Sequence, residues 1–187
     1  MKSRRAYTKV RRAAAEDATR EKIVCAMVEL HGEIGPSRTT VSAIAERAGV
    51  ERLTVYRHFP DETSMLRACS AHWSALNPLP AIPVAGADPL ASCRHTIVAL
   101  YGWYRANADM LTQIFRDART MPIVAELMAP MAAHLDDVAA QLDARWPRRS
   151  TKRVTTIRHA LQFSTWQSLD ALTGSDRRAA ALITDWL

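Results

Sequence analysis

The side chains best suited to chemistry with a partner lie between Arg52 and His58. If this segment is helical, Val55 and Phe59 share an inner face at i, i+4 spacing. The other side chains then face outward: Arg52, Leu53, Thr54, Tyr56, Arg57 and His58. Guanidinium, hydroxyl, phenol and imidazole groups within two helical turns can reach base edges and phosphate oxygens in a major groove. The pattern therefore favours a surface for DNA.

A short helix and a glycine turn precede this segment and must position it. Thr40 can cap the short helix, and apolar residues follow at three- and four-residue spacing: Val41, Ile44, Ala45 and Ala48. Gly49 suits the left-handed conformation that ends a helix, and Val50 can fasten the turn to the core. The stretch from Thr40 to Phe59 thus reads as a helix-turn-helix. Helical hairpins that touch no nucleic acid share this pattern, so both interpretations stay open here.

The longer stretch TTVSAIAERAGVERLTVYRHFPDETSML resembles the N-terminal DNA-binding domain of the TetR family of bacterial regulators. The resemblance spans roughly Thr19 to Leu66, and three parts of it are the most specific: Ile44-Ala45, Ala48-Gly49-Val50 and Tyr56-Arg57-His58-Phe59. It implies a dimeric all-α protein with an N-terminal three-helix helix-turn-helix domain and a C-terminal ligand-binding and dimerisation domain. It also implies a ligand-responsive repressor that binds a palindromic operator in double-stranded DNA.

Carried over by position, the resemblance assigns individual roles on the motif. Base contacts fall to Arg52, Leu53 and Thr54, and phosphate contacts fall to Tyr56 and His58. Thr40 matches the helix start at which backbone N–H groups point at a phosphate.

Two residues depart from the family pattern. Glu51 stands where a small hydroxyl residue is commoner, and Glu62 stands where a phosphate-binding lysine is often found. Both carboxylates would repel the DNA backbone if they faced it. An alternative function is therefore a helical module that binds small molecules or proteins and has weak or no specific affinity for DNA.

The net charge of +6 is concentrated at the N-terminus, because residues 1–12 hold six basic and no acidic residues. Four arginines of this segment are expected to contact DNA: Arg4, Arg5, Arg11 and Arg12. We expect residues 1–14 to form a basic, disordered arm. The alternative is a solvated tail that aids solubility.

The sequence predicts four segments: the arm at 1–14, a DNA-binding domain with its connecting fourth helix at 15–76, a linker at 77–87 and a helical domain at 88–187. Three prolines and one glycine in the linker exclude a continuous helix there. Helix patterns appear at 15–34, 40–48, 51–59, 62–76, 89–106, 107–118, 122–146 with a bend or break at Pro130, 151–172 and 176–187. No strand-like alternation of useful length is present.

The resemblance further implies that the last two helices pair with their copies in a homodimer. The alternative is that their apolar stripe completes the core of the monomer. No apolar run long enough for a membrane span and no secretory signal appear, so we expect a cytoplasmic protein without membrane contact.

Large apolar residues with a few polar ones in the C-terminal half could line a pocket for a small-molecule effector. The candidates are Trp103, Met110, Phe115, Met128, Met131, His134, Phe163 and Trp166. At helical spacing such residues also suit a plain core. No nucleophile motif, phosphate loop or metal-ligand spacing appears, so we expect no enzyme, no cofactor and no metal site.

Overall fold

A computed structural model describes the backbone of residues 3–81 and 88–187. Ten α-helices and one short 3-10 helix at Pro36–Arg38 occupy these ranges, and no strand occurs in them. In chain order the helices are α1 (Ser3–Glu33), α2 (Val41–Ala48), α3 (Arg52–His58), α4 (Glu62–Leu76), α5 (Pro89–Ala106), α6 (Ala108–Asp117), α7 (Pro122–Asp143), α8 (Thr151–Ala160), α9 (Phe163–Thr173) and α10 (Asp176–Thr184). The predicted all-α fold is confirmed.

The first helix is longer than the sequence pattern predicted. Residues 3–14, expected to be a disordered arm, are the first turns of α1. Arginine and alanine make up most of this segment, which contains neither glycine nor proline. These residues have high intrinsic helix propensity, so a high density of positive charge was not a sufficient reason to expect disorder.

The helix predicted at 151–172 is two helices, because α8 ends at Ala160 and α9 begins at Phe163. Two buried tyrosines of α5 bond the carbonyl groups at this break. The Tyr101 hydroxyl donates to the carbonyl of Ala160 at 2.8 Å, and the Tyr104 hydroxyl donates to the carbonyl of Leu161 at 2.6 Å. These side chains satisfy acceptors at a helix end, which lets the chain turn there.

The chain packs as two units. The first unit joins Thr112–Leu127 to the chain up to Asn77, and the second joins Pro78–Leu111 to Met128–Leu187. The last turns of α6 and the first turn of α7 thus pack with the N-terminal helices, although their sequence positions lie beyond the predicted linker at 77–87. Residues 82–87 of that linker lie outside the described part. α7 continues as one helix through Pro130.

Each unit has its own apolar core. In the first, α1, α2, α3 and α4 bury Ile23, Val24, Met27, Leu30, Ile44, Ala45, Val55, Phe59, Met65 and Cys69. In the second, the largest fully buried side chains are Tyr101, Tyr104, Ile97, Leu111, Leu142, Ile157, Leu161 and Ile183. Among the helices of the described ranges, none combines the length and apolar composition that a bilayer span requires.

Candidate DNA-binding surface

Local bonds cap the start of α2 and close the turn at its end. The Thr40 hydroxyl oxygen accepts a hydrogen bond from the N–H of Ala43 at 3.2 Å, as predicted for an N-cap. Gly49 ends the helix at φ +66° and ψ +39°, in the left-handed region. The N–H of Val50 donates to the carbonyl of Ala45 at 2.9 Å and closes the turn into α3. The turn between α2 and α3 therefore follows from residues close together in sequence.

One face of α3 is buried and the other is open. Val55 and Phe59 are 0% and 2% exposed, and the guanidinium of Arg20 covers the Phe59 ring at 4.8 Å from its centre. On the outer face, Arg52, Leu53, Tyr56 and Arg57 are exposed, whereas Thr54 and His58 are half-buried. Leu53 is 78% exposed. The residues of α3 to which the resemblance assigns base and phosphate contacts all lie on this outer face.

Both acidic departures from the family pattern are exposed. Glu51 is the N-cap residue of α3 and makes no side-chain capping bond. Glu62 lies in the first turn of α4, where Asp61 and Ser64 form a capping box. Acidic groups at helix starts complement the positive end of the helix dipole. A local stabilising role therefore accounts for both positions.

The basic N-terminal residues lie on α1. Arg11 and Arg12 are exposed, and the guanidinium of Arg11 lies 5.9 Å from the centre of the Tyr7 ring. The side chains of Arg4 and Arg5 lie outside the described part of the chain.

The proposed effector residues are dispersed. Phe163 and Trp166 are buried and stack at 5.3 Å between ring centres, whereas Trp103, Met110, Met128 and Met131 are half-buried. Phe115 is 37% exposed and belongs to the first unit. His134 lines a cavity of about 10 Å³ with Leu79, Pro80, Ala81, Thr96, Ala99, Leu100, Leu135 and Val138. This volume suits about one water molecule.

Within the described ranges, no three His, Cys, Asp or Glu side chains converge as metal ligands would. His134 and Asp137 are both exposed. Sequence reasoning missed a different polar group, formed by Arg116 and Asp117 against the loop that leads into α2. Because 80 residues separate Asp117 from Ser37, no local spacing could have signalled it.

Comparisons with known proteins agree with this geometry. Residues 23–69 match the family model of bacterial regulatory proteins of the tetR family. An uncharacterized HTH-type transcriptional regulator of Mycobacterium bovis is 29% identical over 159 residues, 82% of each chain. A transcriptional regulator from a Rhodococcus species shares the fold at a TM-score of 0.63 and 20% identity, over 89% of this chain and 92% of that one. GusR of Salmonella enterica does so at a TM-score of 0.60 and 16% identity, over 91% and 95%.

A helix-turn-helix with an open outer face on its second helix, in an all-α chain, defines a DNA-binding transcriptional regulator. The match over residues 23–69 confirms the resemblance to the TetR family that was noted in the sequence.

Proposed function

We propose that the protein is a homodimeric repressor that binds a palindromic operator in the cytoplasm and releases it when a small molecule enters the second unit. The observation that carries the proposal is the open face of α3, where Arg52, Leu53 and Tyr56 are exposed above the buried Val55. An exposed leucine flanked by cationic and hydroxyl groups matches a major groove, which offers thymine methyl groups, base edges and phosphates.

Removal of two groups from this face tests the DNA contact. Thr54→Ala combined with Tyr56→Ala should weaken retention of operator DNA in a gel shift by about tenfold or more. Thr155→Ala is a matched control, because Thr155 is exposed on α8. Both proteins should unfold at the temperature of the wild type. Unchanged retention by the double variant would contradict the proposed contact between DNA and the outer face of α3.

The alternative, a helical module without specific DNA binding, rests on the exposed carboxylates of Glu51 and Glu62. Selection from random double-stranded fragments at low salt separates the two functions. A regulator enriches a sequence with twofold symmetry, whereas the alternative predicts no enrichment.

The basic start of α1 is proposed to contact phosphates through Arg4, Arg5, Arg11 and Arg12. Deletion of residues 2–12 should weaken binding to all DNA sequences. It should also flatten the plot of log affinity against log salt concentration, whose slope should fall by about 1 for each phosphate contact that is lost. An unchanged slope would exclude phosphate contacts by this segment.

The second copy in the proposed dimer would cover exposed apolar side chains on α9, on α10 and just beyond the end of α10. Leu172, Leu182 and Trp186 are 81%, 45% and 51% exposed, whereas Ala179 and Ile183 are buried within their own unit. Large apolar side chains left exposed on and next to these helices support an interface between copies. Leu182→Glu with Trp186→Glu should yield a monomer in analytical ultracentrifugation. Leu76→Glu, at a site 68% exposed on α4, is the matched control and should leave the mass unchanged.

A further inference from the structure

Two side chains at the end of α6 hold the loop between α1 and α2. The carboxylate of Asp117 accepts a hydrogen bond from the backbone N–H of Ser37 at 2.9 Å. The guanidinium of Arg116 donates to the backbone carbonyl of Ile34 at 2.9 Å. We call this pair the loop clamp. It satisfies one donor and one acceptor of a loop that ends at the N-cap of α2.

The carboxylate of the loop clamp is buried and charged. The Asp117 side chain is 3% exposed, and its second oxygen pairs with Nε of Arg116 at 2.7 Å. Burial opposes ionisation of Asp117 most strongly, but the bonds from Arg116 and Ser37 outweigh it and lower the pKa of the carboxyl below its usual value. The carboxylate is therefore charged at neutral pH. A charge in such a place destabilises the protein strongly when its partners move away.

The loop backbone is shaped to fit the clamp. Gly35 has φ +86°, and a Cβ at this position would overlap the guanidinium of Arg116 and lie 2.6 Å from the carboxylate of Asp117. A third side chain on the same face of α6 adds to the contact, because the amide of Gln113 donates to the carbonyl of Glu33 at 3.4 Å. The glycine thus permits both the backbone conformation and the close approach of α6.

The loop that Arg116 and Asp117 hold leads directly into α2, the first helix of the helix-turn-helix. The Thr39 hydroxyl donates to the carbonyl of Gly35 at 2.8 Å, and the next residue, Thr40, caps α2. α2 in turn packs against both α1 and α3. A change in the loop therefore changes where α2 begins, and with it the placement of the free N–H groups at its start and of α3.

We propose that Arg116 and Asp117 are positioning residues for DNA binding, which fix the start of α2 relative to α1 without touching DNA themselves. The inference rests on the proposed DNA-binding function. It extends the set of residues on which operator affinity depends to a helix 80 positions downstream of the loop that it holds.

The test compares Asp117→Ala, Asp117→Asn and Arg116→Ala in the full-length protein. The probe is double-stranded DNA that the wild-type protein retains from a random-sequence pool. Asp117→Ala should bind this DNA about tenfold more weakly. Asp117→Asn keeps an oxygen that can accept from Ser37, so it should restore part of the affinity. Amide hydrogen exchange at Ser37 should speed up in the same order as affinity falls. Should Asp117→Ala fail to fold, Arg116→Ala carries the test, because its side chain is 39% exposed.

Two controls separate positioning from general stability. Tyr104→Phe removes the bond to the Leu161 carbonyl in the second unit, so it should lower the unfolding temperature and leave DNA affinity within about twofold of wild type. Arg47→Ala removes a different, more exposed contact between α1 and α2 and should also retain affinity. Equal losses in Tyr104→Phe and Asp117→Ala would overturn the inference.

The outcomes also separate this inference from the function on which it rests. If the wild type binds DNA and the clamp variants bind equally well, the inference fails and the proposed function stands. If the wild type retains no DNA from the pool, the proposed function fails and the inference fails with it.

Discussion

The two loops that flank α2 both contain a glycine with positive φ, but their surroundings differ. At Gly49, which follows the helix, a Cβ would meet no atom within 4 Å. At Gly35, which precedes it, a Cβ would collide with Arg116 and Asp117. The first glycine is required only by the conformation of its own backbone, whereas the second is also required by a helix from elsewhere in the sequence.

The bonds at the two ends show the same contrast. The end of α2 closes through the N–H groups of Gly49 and Val50, which donate to carbonyls of the same helix at 3.2 and 2.9 Å. The loop before α2 depends on the carboxylate of Asp117. A motif that is local in sequence therefore has one end that its own residues determine and one end that requires the folded unit. Four predictions test this difference, from the largest expected effect to the smallest.

Gly35→Ala should destabilise the protein most. It combines an unfavourable left-handed conformation with displacement of the loop clamp, and we expect a loss of about 3 kcal/mol in the free energy of unfolding. Urea unfolding followed by circular dichroism measures the loss. A loss below about 1 kcal/mol would mean that Arg116 and Asp117 can move aside at little cost. The loops at Gly35 and Gly49 would then not differ in their dependence on distant residues.

Acid should destabilise the protein through His31, which lies just before the loop that leads into α2. The carbonyl of His31 accepts a hydrogen bond from the N–H of Gly35 at 3.1 Å. Burial lowers the pKa of His31 to about 4, and the nearby Asp117 offsets only part of this effect. In the unfolded chain the pKa is about 6.5, so the unfolded state binds a proton that the folded state rejects between these values. The free energy of unfolding should therefore fall by about 3 kcal/mol as pH drops from about 7 to about 4.

His31→Gln removes the titrating group and should flatten this pH dependence, whatever its effect at pH 7. His95→Gln, at an exposed position on α5, is the matched control and should leave the pH profile as it is in the wild type. A profile that His31→Gln does not flatten would assign the acid sensitivity to other groups.

Gly49→Ala should have a smaller effect, because only the left-handed conformation opposes it. We expect a loss of about 1 kcal/mol, and less for Gly49→Asn, since asparagine tolerates this region better. The same urea titration as for Gly35→Ala gives the comparison. If Gly49→Ala destabilises the protein as much as Gly35→Ala, the end of α2 is not locally determined.

The sequence was informative where the bonding is local. The cap of α2 was predicted correctly at Thr40. The inward spacing of Val55 and Phe59 also predicted which face of α3 is open. These features depend on residues within four positions of each other, so their types and spacing define them.

Contacts between residues far apart in sequence could not be predicted. The division between α8 and α9 depends on hydroxyl groups of α5 that lie 57 and 59 residues away. Likewise, no nearby residue signals the bonds of Arg116 and Asp117, because the loop that they hold lies about 80 positions away in sequence. The helical extension at residues 3–14 was not predicted for another reason: a high positive charge does not prevent residues of high helix propensity from forming a helix.

A long-range contact also exists near the end of α2, and it should matter least. Arg47 pairs with Glu33 at 2.8 Å and with Glu29 at 3.1 Å, but all three side chains are substantially exposed to solvent. The hydrogen bond from Arg47 lowers the pKa of Glu33.

Because water and salt screen such pairs, Arg47→Ala should lower the thermal midpoint less than Gly49→Ala does. The difference from wild type should vanish at about 1 M salt, where charges are screened within about 3 Å. A larger shift that persists in salt would show that the end of α2, like its start, depends on a distant partner.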